Sequence, residues 1–144
     1  MVDCNMNRVY KWYLRMHNSK SKFIQRAIEV YLHIVYSCDI PAEVQIGKNC
    51  SFAHNALGVV INPRVIIGDN CHIGQNVTIG GRNGHEIVPI LGNNVLVGAN
   101  ALILGPITIG DNSIIGAGAI VVKDVPPNSV VRSEASKIYK RNSN

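Results

Sequence analysis

From Ile61 to Gly80 the chain reads INPRVIIGDNCHIGQNVTIG. Isoleucines stand six apart at Ile61, Ile67, Ile73 and Ile79, glycine follows at Gly68, Gly74 and Gly80, and a small or branched residue sits four places after an anchor at Val65, Cys71 and Val77. Six is not a multiple of 3.6, so this period cannot keep to one face of a helix. It does fit a short strand followed by a corner. Side chains alternate along a strand, so an anchor and the residue four beyond it both face inward. The beat extends back through Ile40, Ile46 and Phe52 and forward through Leu91, Val97, Ile103, Ile109, Ile115 and Val121, and His85 is the one slot that is not apolar. Identical slots at a fixed spacing stack turn on turn, which predicts a β-solenoid. Glycine after the anchors is expected to relax the backbone where it bends.

The chain has 144 residues, enough for one domain, and is 47% hydrophobic but only 16% charged, a balance opposite to that of disorder. Aromatic residues make up 6%, so the core is expected to pack small aliphatic rows. No apolar run approaches the ~18 residues of a membrane span, and the first residues do not read as a leader peptide. Cys4, Cys38, Cys50 and Cys71 show neither CxxC pairing nor metal-ligand spacing. A reducing cytoplasm is the expected location, with Cys50 and Cys71 read as small buried hydrophobes.

The net charge of +5 is unevenly spread: +4 over residues 1–38, −2 over 39–126 and +3 over 127–144. A nucleic-acid reader would carry its basic stripe on the main body, so no nucleic-acid partner is expected. Residues 1–38 form a helical segment. Asp3 is a candidate cap for a first helix carrying Val9, Trp12, Tyr13 and Met16, and Ser19 or Ser21 for a second with Phe23, Ala27, Val30 or Tyr31, and Ile34 on one face. Such a pair packs either on the solenoid or on another subunit. Its cations, Arg8, Lys11, Arg15, Lys20, Lys22 and Arg26, read as solvated faces rather than a membrane contact. The solenoid is placed at 39–128, and residues 129–144 read as an extended basic tail.

Two irregularities break the repeat. Three extra residues separate Phe52 from Ile61, and a solenoid leaves register where it needs a loop. His54 opens that loop. It is either a surface histidine or a general base, since imidazole titrates near neutrality. The second is Gly80-Gly81-Arg82-Asn83-Gly84-His85, where polar residues replace the apolar slots and the chain is expected to loop off the solenoid.

The Ile/Val-Gly hexad resembles the hexapeptide-repeat acyltransferases. That resemblance implies a mainly β fold, a left-handed parallel β-helix with three hexads to a turn, here nearly five turns, in a homotrimer. The segments Asp39–Gly47, Phe52–His54, Gly58–Asn62 and Gln75–Gly81 are similar to the serine acetyltransferase branch, most of all to short members of exopolysaccharide pathways. The resemblance implies an acetyl-CoA-dependent O-acetyltransferase with His54 as catalytic base and Asp39 as its partner. Asp39 otherwise reads as a cap before the first coil. The implied acceptor is a small hydroxylated molecule, a sugar unit or serine, near Asn62, Arg82 and His85. The pantetheine arm would meet Gly81, Ala99 and Ala117, and Lys123 and Lys137 would meet the coenzyme phosphates. Gly58 and Gly81 are candidate oxyanion donors. The serine enzymes carry an acid just before the histidine where this chain has Ala53, which speaks against serine as acceptor.

Two other classes stand beside this reading. A metal-bearing β-helix hydratase needs closely spaced histidines, but His17, His33, His54, His72 and His85 contain no close pair, so no metal is expected. A non-catalytic scaffold would leave the spacing of Asp39 and His54 without purpose.

Overall fold

The computed structural model describes residues 8–83 and 86–134. Two helices come first. In α1 (Arg8–His17) the residues Val9, Tyr10, Tyr13 and Met16 form one buried stripe. In α2 (Lys22–Tyr36) Ser21 is the N-cap, its hydroxyl accepting the Ile24 N–H at 3.5 Å, and Ser37 ends the helix in the left-handed region at φ 53°. The expected Asp3 cap lies outside the described residues.

The hairpin is held on the first coil by individual polar bonds. The Tyr10 hydroxyl donates to the Gly47 carbonyl at 2.6 Å. The Tyr13 hydroxyl donates to Val44 at 2.7 Å and accepts the Ile46 N–H at 3.1 Å. The His17 Nδ1–H donates to the Ala42 carbonyl at 2.9 Å, and Glu29 of α2 accepts the Ala42 N–H at 3.1 Å. Burial pushes the Tyr13 phenol up to about 12. Of the stripe expected to pack α2, Tyr31 meets the Trp12 ring of α1 at 5.0 Å but Phe23 is 83% exposed and Ile34 73%, while Leu32 is buried and Ile28 packs against the core. Aliphatic residues surround much of this helix, so its periodicity does not decide which side is covered.

The rest is a coil of three parallel sheets, a left-handed β-helix. One face holds β3 (Val60–Ile61), β6 (Thr78–Gly80), β9 (Leu102–Leu104) and β12 (Ile120–Val121). The second holds β1 (Gln45–Ile46), β4 (Ile66–Ile67), β7 (Ile90–Leu91) and β10 (Thr108–Ile109). The third holds β2 (Ser51–Phe52), β5 (His72–Ile73), β8 (Leu96–Val97), β11 (Ile114–Ile115) and β13 (Val130–Val131). This makes about four turns. The sequence count was higher because two loops consume chain without adding coil: stacked positions are 18 residues apart from Asn93 to Asp111, but 21 from Asn49 to Asn70 and 24 from Asp69 to Asn93. β13 lies beyond the expected boundary at 128.

Both predicted inward rows are interior. The anchors are buried apart from the partly buried Ile46, and the second row is buried from Val44 to Val125. Ser113 is the polar member of that row, and its hydroxyl donates to the Pro126 carbonyl at 3.0 Å. The corners divide labour differently from expectation. The left-handed φ falls on asparagine, at Asn49, Asn70, Asn76, Asn94, Asn100 and Asn112, rather than on the glycines after the anchors. Asparagine tolerates this region. Those glycines are required by close approach: a Cβ on Gly68 would lie 2.5 Å from the Gly92 carbonyl oxygen, and one on Gly98 would lie 2.5 Å from the Ala117 nitrogen.

Candidate active site

The loop between β2 and β3 begins with a 3-10 turn over Ala53–Ala56. His54, Asn55 and Ala56 are consecutive and all left-handed, at φ 49°, 53° and 60°. Such a run of residues with side chains is strained, and backbone strain concentrates at functional sites. It turns the chain outward and leaves the His54 side chain exposed. The loop is tied down at its far end, where the Gly58 N–H donates to the Ser37 carbonyl at 2.9 Å. That donor is therefore engaged, which removes Gly58 as an oxyanion candidate in this arrangement.

Asp39 starts the row of the first face. Its backbone bridges Val60, with its N–H on the Val59 carbonyl at 2.8 Å and its carbonyl accepting the Ile61 N–H at 2.9 Å. The backbone thus sets Asp39 beside the strand that leaves the His54 loop. Their two side chains, both exposed, make no direct hydrogen bond or ion pair.

The remaining candidates divide between two corners. At the corner occupied by the His54 loop, the Asn76 N–H donates to Leu57, the Asn100 N–H to Gln75, and the Gly118 N–H to Ala99, at 2.8–2.9 Å. Ala99 and Ala117 therefore stand above that loop in the same corner, with Gln75 on the coil between. The Ser133 hydroxyl caps the corner by donating to the Ala117 carbonyl at 2.7 Å.

The next corner, one face away, holds Asn62, Gly81, Arg82 and Lys123. The Asn62 N–H donates to Ile79, the Gly105 N–H to Gly80 at 3.0 Å, and the Arg82 stem lies over Gly105. Asn62 uses its side-chain oxygen to accept the Arg64 N–H at 3.0 Å, a turn role. Gly81 is exposed, with open space where a Cβ would stand. Lys123 and Arg82 are exposed. A face of about five residues spans ~16 Å, so the two corners of one chain do not meet. His85 and Lys137 lie outside the described residues.

Cys38, Cys50 and Cys71 take no part in this surface. Cys50 and Cys71 are buried on successive coils, and the Cys50 thiol is pushed well up by its hydrogen bond with Cys71 and by burial. Burial also raises Cys38, to about 11. Buried thiols held protonated, as those of Cys38 and Cys50 are, make poor nucleophiles. Among the described residues no three His, Cys, Asp or Glu side chains gather as metal ligands, and no helix is long and apolar enough to cross a membrane.

A groove of about 810 Å³ runs beneath α2, lined by Arg26, Glu29, Val30, His33 and Ile34 on one side and by Asp39, Pro41, Glu43 and Pro63 on the other. From the sequence Arg26 reads as a solvated face and Val30 and Ile34 as a packing stripe, with no site role for them, Glu29 or His33. Their spacing puts them on one helix face, but only packing shows that this face looks at Asp39.

Comparison with known proteins bears on the same segments. Residues 89–123 match the family model "Bacterial transferase hexapeptide (six repeats)", and residues 64–82 match "Hexapeptide repeat of succinyl-transferase". The chain is 41% identical over 113 residues to a serine acetyltransferase of Mycobacterium tuberculosis, covering 77% of this chain and 49% of that protein. It is 40% identical over 114 residues to WcaB of Escherichia coli, named for colanic acid biosynthesis as an acetyltransferase, covering 76% of this chain and 70% of that protein. The crystal structure of the Neisseria gonorrhoeae serine acetyltransferase in complex with serine superposes with a TM-score of 0.79 at 33% identity, over 90% of this chain and 55% of that one. The chain spans about half the length of several of the serine acetyltransferases it matches.

Proposed function

The chain belongs to the hexapeptide-repeat acyltransferases, in their serine acetyltransferase-like branch, and on that premise we propose that it transfers the acetyl group of acetyl-CoA to a hydroxyl of a small acceptor, first of all a sugar unit. His54 is the general base. It takes the proton of the acceptor hydroxyl as that oxygen attacks the thioester carbonyl. The tetrahedral oxyanion collapses with cleavage of the carbon–sulfur bond, and the imidazolium returns its proton to the departing thiolate. Asp39 holds the ring orientation and steadies the imidazolium.

The observation that carries this reading is the shared corner. His54 stands in a strained outward turn at the foot of the corner whose upper coils carry the small residues Ala99 and Ala117. A narrow pantetheine arm needs the close backbone approach that such residues allow. Asn62, Gly81, Arg82 and Lys123 stand one face away, so a site using both sets is completed by a neighbouring copy whose second corner meets the first. A homotrimer supplies that contact three times.

Serine is the second reading, favoured by the likeness to serine acetyltransferases. Ala53 counts against it, because no acid immediately precedes His54 in the chain to grip an amino group. Replacement His54→Ala is expected to lower acetyl transfer by about 10²–10⁴-fold with secondary structure and assembly unchanged. Thiol release from acetyl-CoA, circular dichroism and native mass measure these. Full activity in the variant would overturn the proposed role.

A further inference from the structure

We propose that the groove beneath α2 is the acceptor site's outer wall, that it takes a carbohydrate of two or more sugar units, and that Arg26 and His33 determine specificity for it. The inference rests on the acetyl-transfer reading above and adds the acceptor's size and the residues that select it. At about 810 Å³ the groove is far larger than a single amino acid fills, and it falls within the ~300–1,000 Å³ of clefts that bury sizeable ligands.

Its walls match the two aspects of a pyranose. Val30, Ile34, Pro41 and Pro63 form apolar surface for the C–H faces of the rings. Polar groups line the same groove. Glu29 is already committed, to the Ala42 N–H at 3.1 Å and to Arg26 at 3.2 Å, and Glu43 faces Lys22 at 3.8 Å. Among the described residues the side chains of Asp39 and His33 make no hydrogen bond or ion pair, and both are exposed. A carboxylate accepts sugar hydroxyls, while an imidazole N–H and the outer guanidinium N–H groups of Arg26 donate to them. Asp39 stands in this groove and also beside the strand leaving the His54 loop, so a sugar lying along α2 presents its end hydroxyl toward the base.

The test compares acetyl-CoA thiol release with L-serine, methyl glucoside, methyl galactoside, cellobiose and lactose as acceptors. Wild-type protein is expected to use a disaccharide at a lower KM than either methyl glycoside. His33→Ala and Arg26→Ala should each raise that disaccharide KM about tenfold, the worth of one polar contact. The acetyl-CoA KM and the native mass should not change, and His33→Gln and Arg26→Lys, which keep a donor, should recover most of the affinity.

An unchanged disaccharide KM in both alanine variants overturns the inference. So does loss of assembly in them, which would make the groove a contact between copies. Acetylation of L-serine alone overturns it too, while leaving acetyl transfer standing. Absence of thiol release from wild-type protein with every acceptor overturns the acetyl-transfer reading itself, and the inference with it.

Discussion

The coil from β7 onward and the end of the molecule that carries α1, α2 and the His54 loop are built on different principles. In the coil every device is repeated. Anchors stack on anchors, glycines after the anchors admit the next turn's backbone, and an asparagine (or, at Gly105 and Gly118, a glycine) takes the positive φ at the corners. At the other end each device occurs once: two tyrosine hydroxyls, a histidine and a glutamate pin the hairpin, and three consecutive left-handed residues turn out the loop. Repetition spreads stability over many equivalent contacts, whereas the unique end concentrates it in a few bonds and keeps a strained loop in place. The candidate site lies where the two meet.

The sharpest way to break this contrast is in the coil. Gly98→Ala adds a Cβ that meets the Ala117 nitrogen at 2.5 Å, and the backbone there has no room to yield. We expect a loss of about 3 kcal/mol, read as a fall in the urea midpoint. A variant as stable as wild type would mean that the close-approach account of these glycines is wrong.

At the unique end, Tyr13→Phe strands the Val44 carbonyl and the Ile46 N–H, for a loss of about 1–3 kcal/mol at neutral pH. Its pH dependence has a definite sign. Burial raises the folded-state pKa of Tyr13 from 10.0 to about 12, so folding favours the neutral phenol. The contribution is complete below pH 10 and is lost as pH rises from 10 to about 12. Tyr13→Phe should lack this alkaline component, so its urea midpoint should approach that of wild type between pH 8 and pH 11. A constant gap would disprove the assignment.

The smallest effects compare left-handed residues in the two regions. Asn100→Ala puts an intolerant residue at φ 60° and should cost about 1 kcal/mol. Ala56→Gly relieves similar strain at φ 60° but loses a buried methyl and adds chain entropy, so its net effect should stay within about 0.5 kcal/mol. Equal penalties for both would show that the loop is no more strained than an ordinary corner.

The comparison also marks what could be read in advance. A period of six forces a strand-and-corner reading, and alternation then names both inward rows, so the coil's core from Ile40 to Val125 was legible residue by residue. The three-residue interruption marked the loop of His54 because any break in a strict repeat is visible. The roles within the corner were not legible: glycine and asparagine both suit a bend, and only the stacked neighbour shows that glycine is there for closeness and asparagine for φ. Nor was the outer side of α2, where Phe23 and Ile34 read as a packing stripe and stand in the open.

The linear order of side chains alone thus determined the coil, its interior and the position of the break, because these depend on interactions repeated at fixed separation along the chain. Only the tertiary structure decided that Asp39 comes beside the strand leaving the His54 loop, that Ala99 and Ala117 share its corner while Gly81 and Lys123 do not, and that Arg26 and His33 face a groove. Those relations depend on loop lengths that shift the register and on which side of a many-sided apolar helix is covered, and neither follows from local spacing.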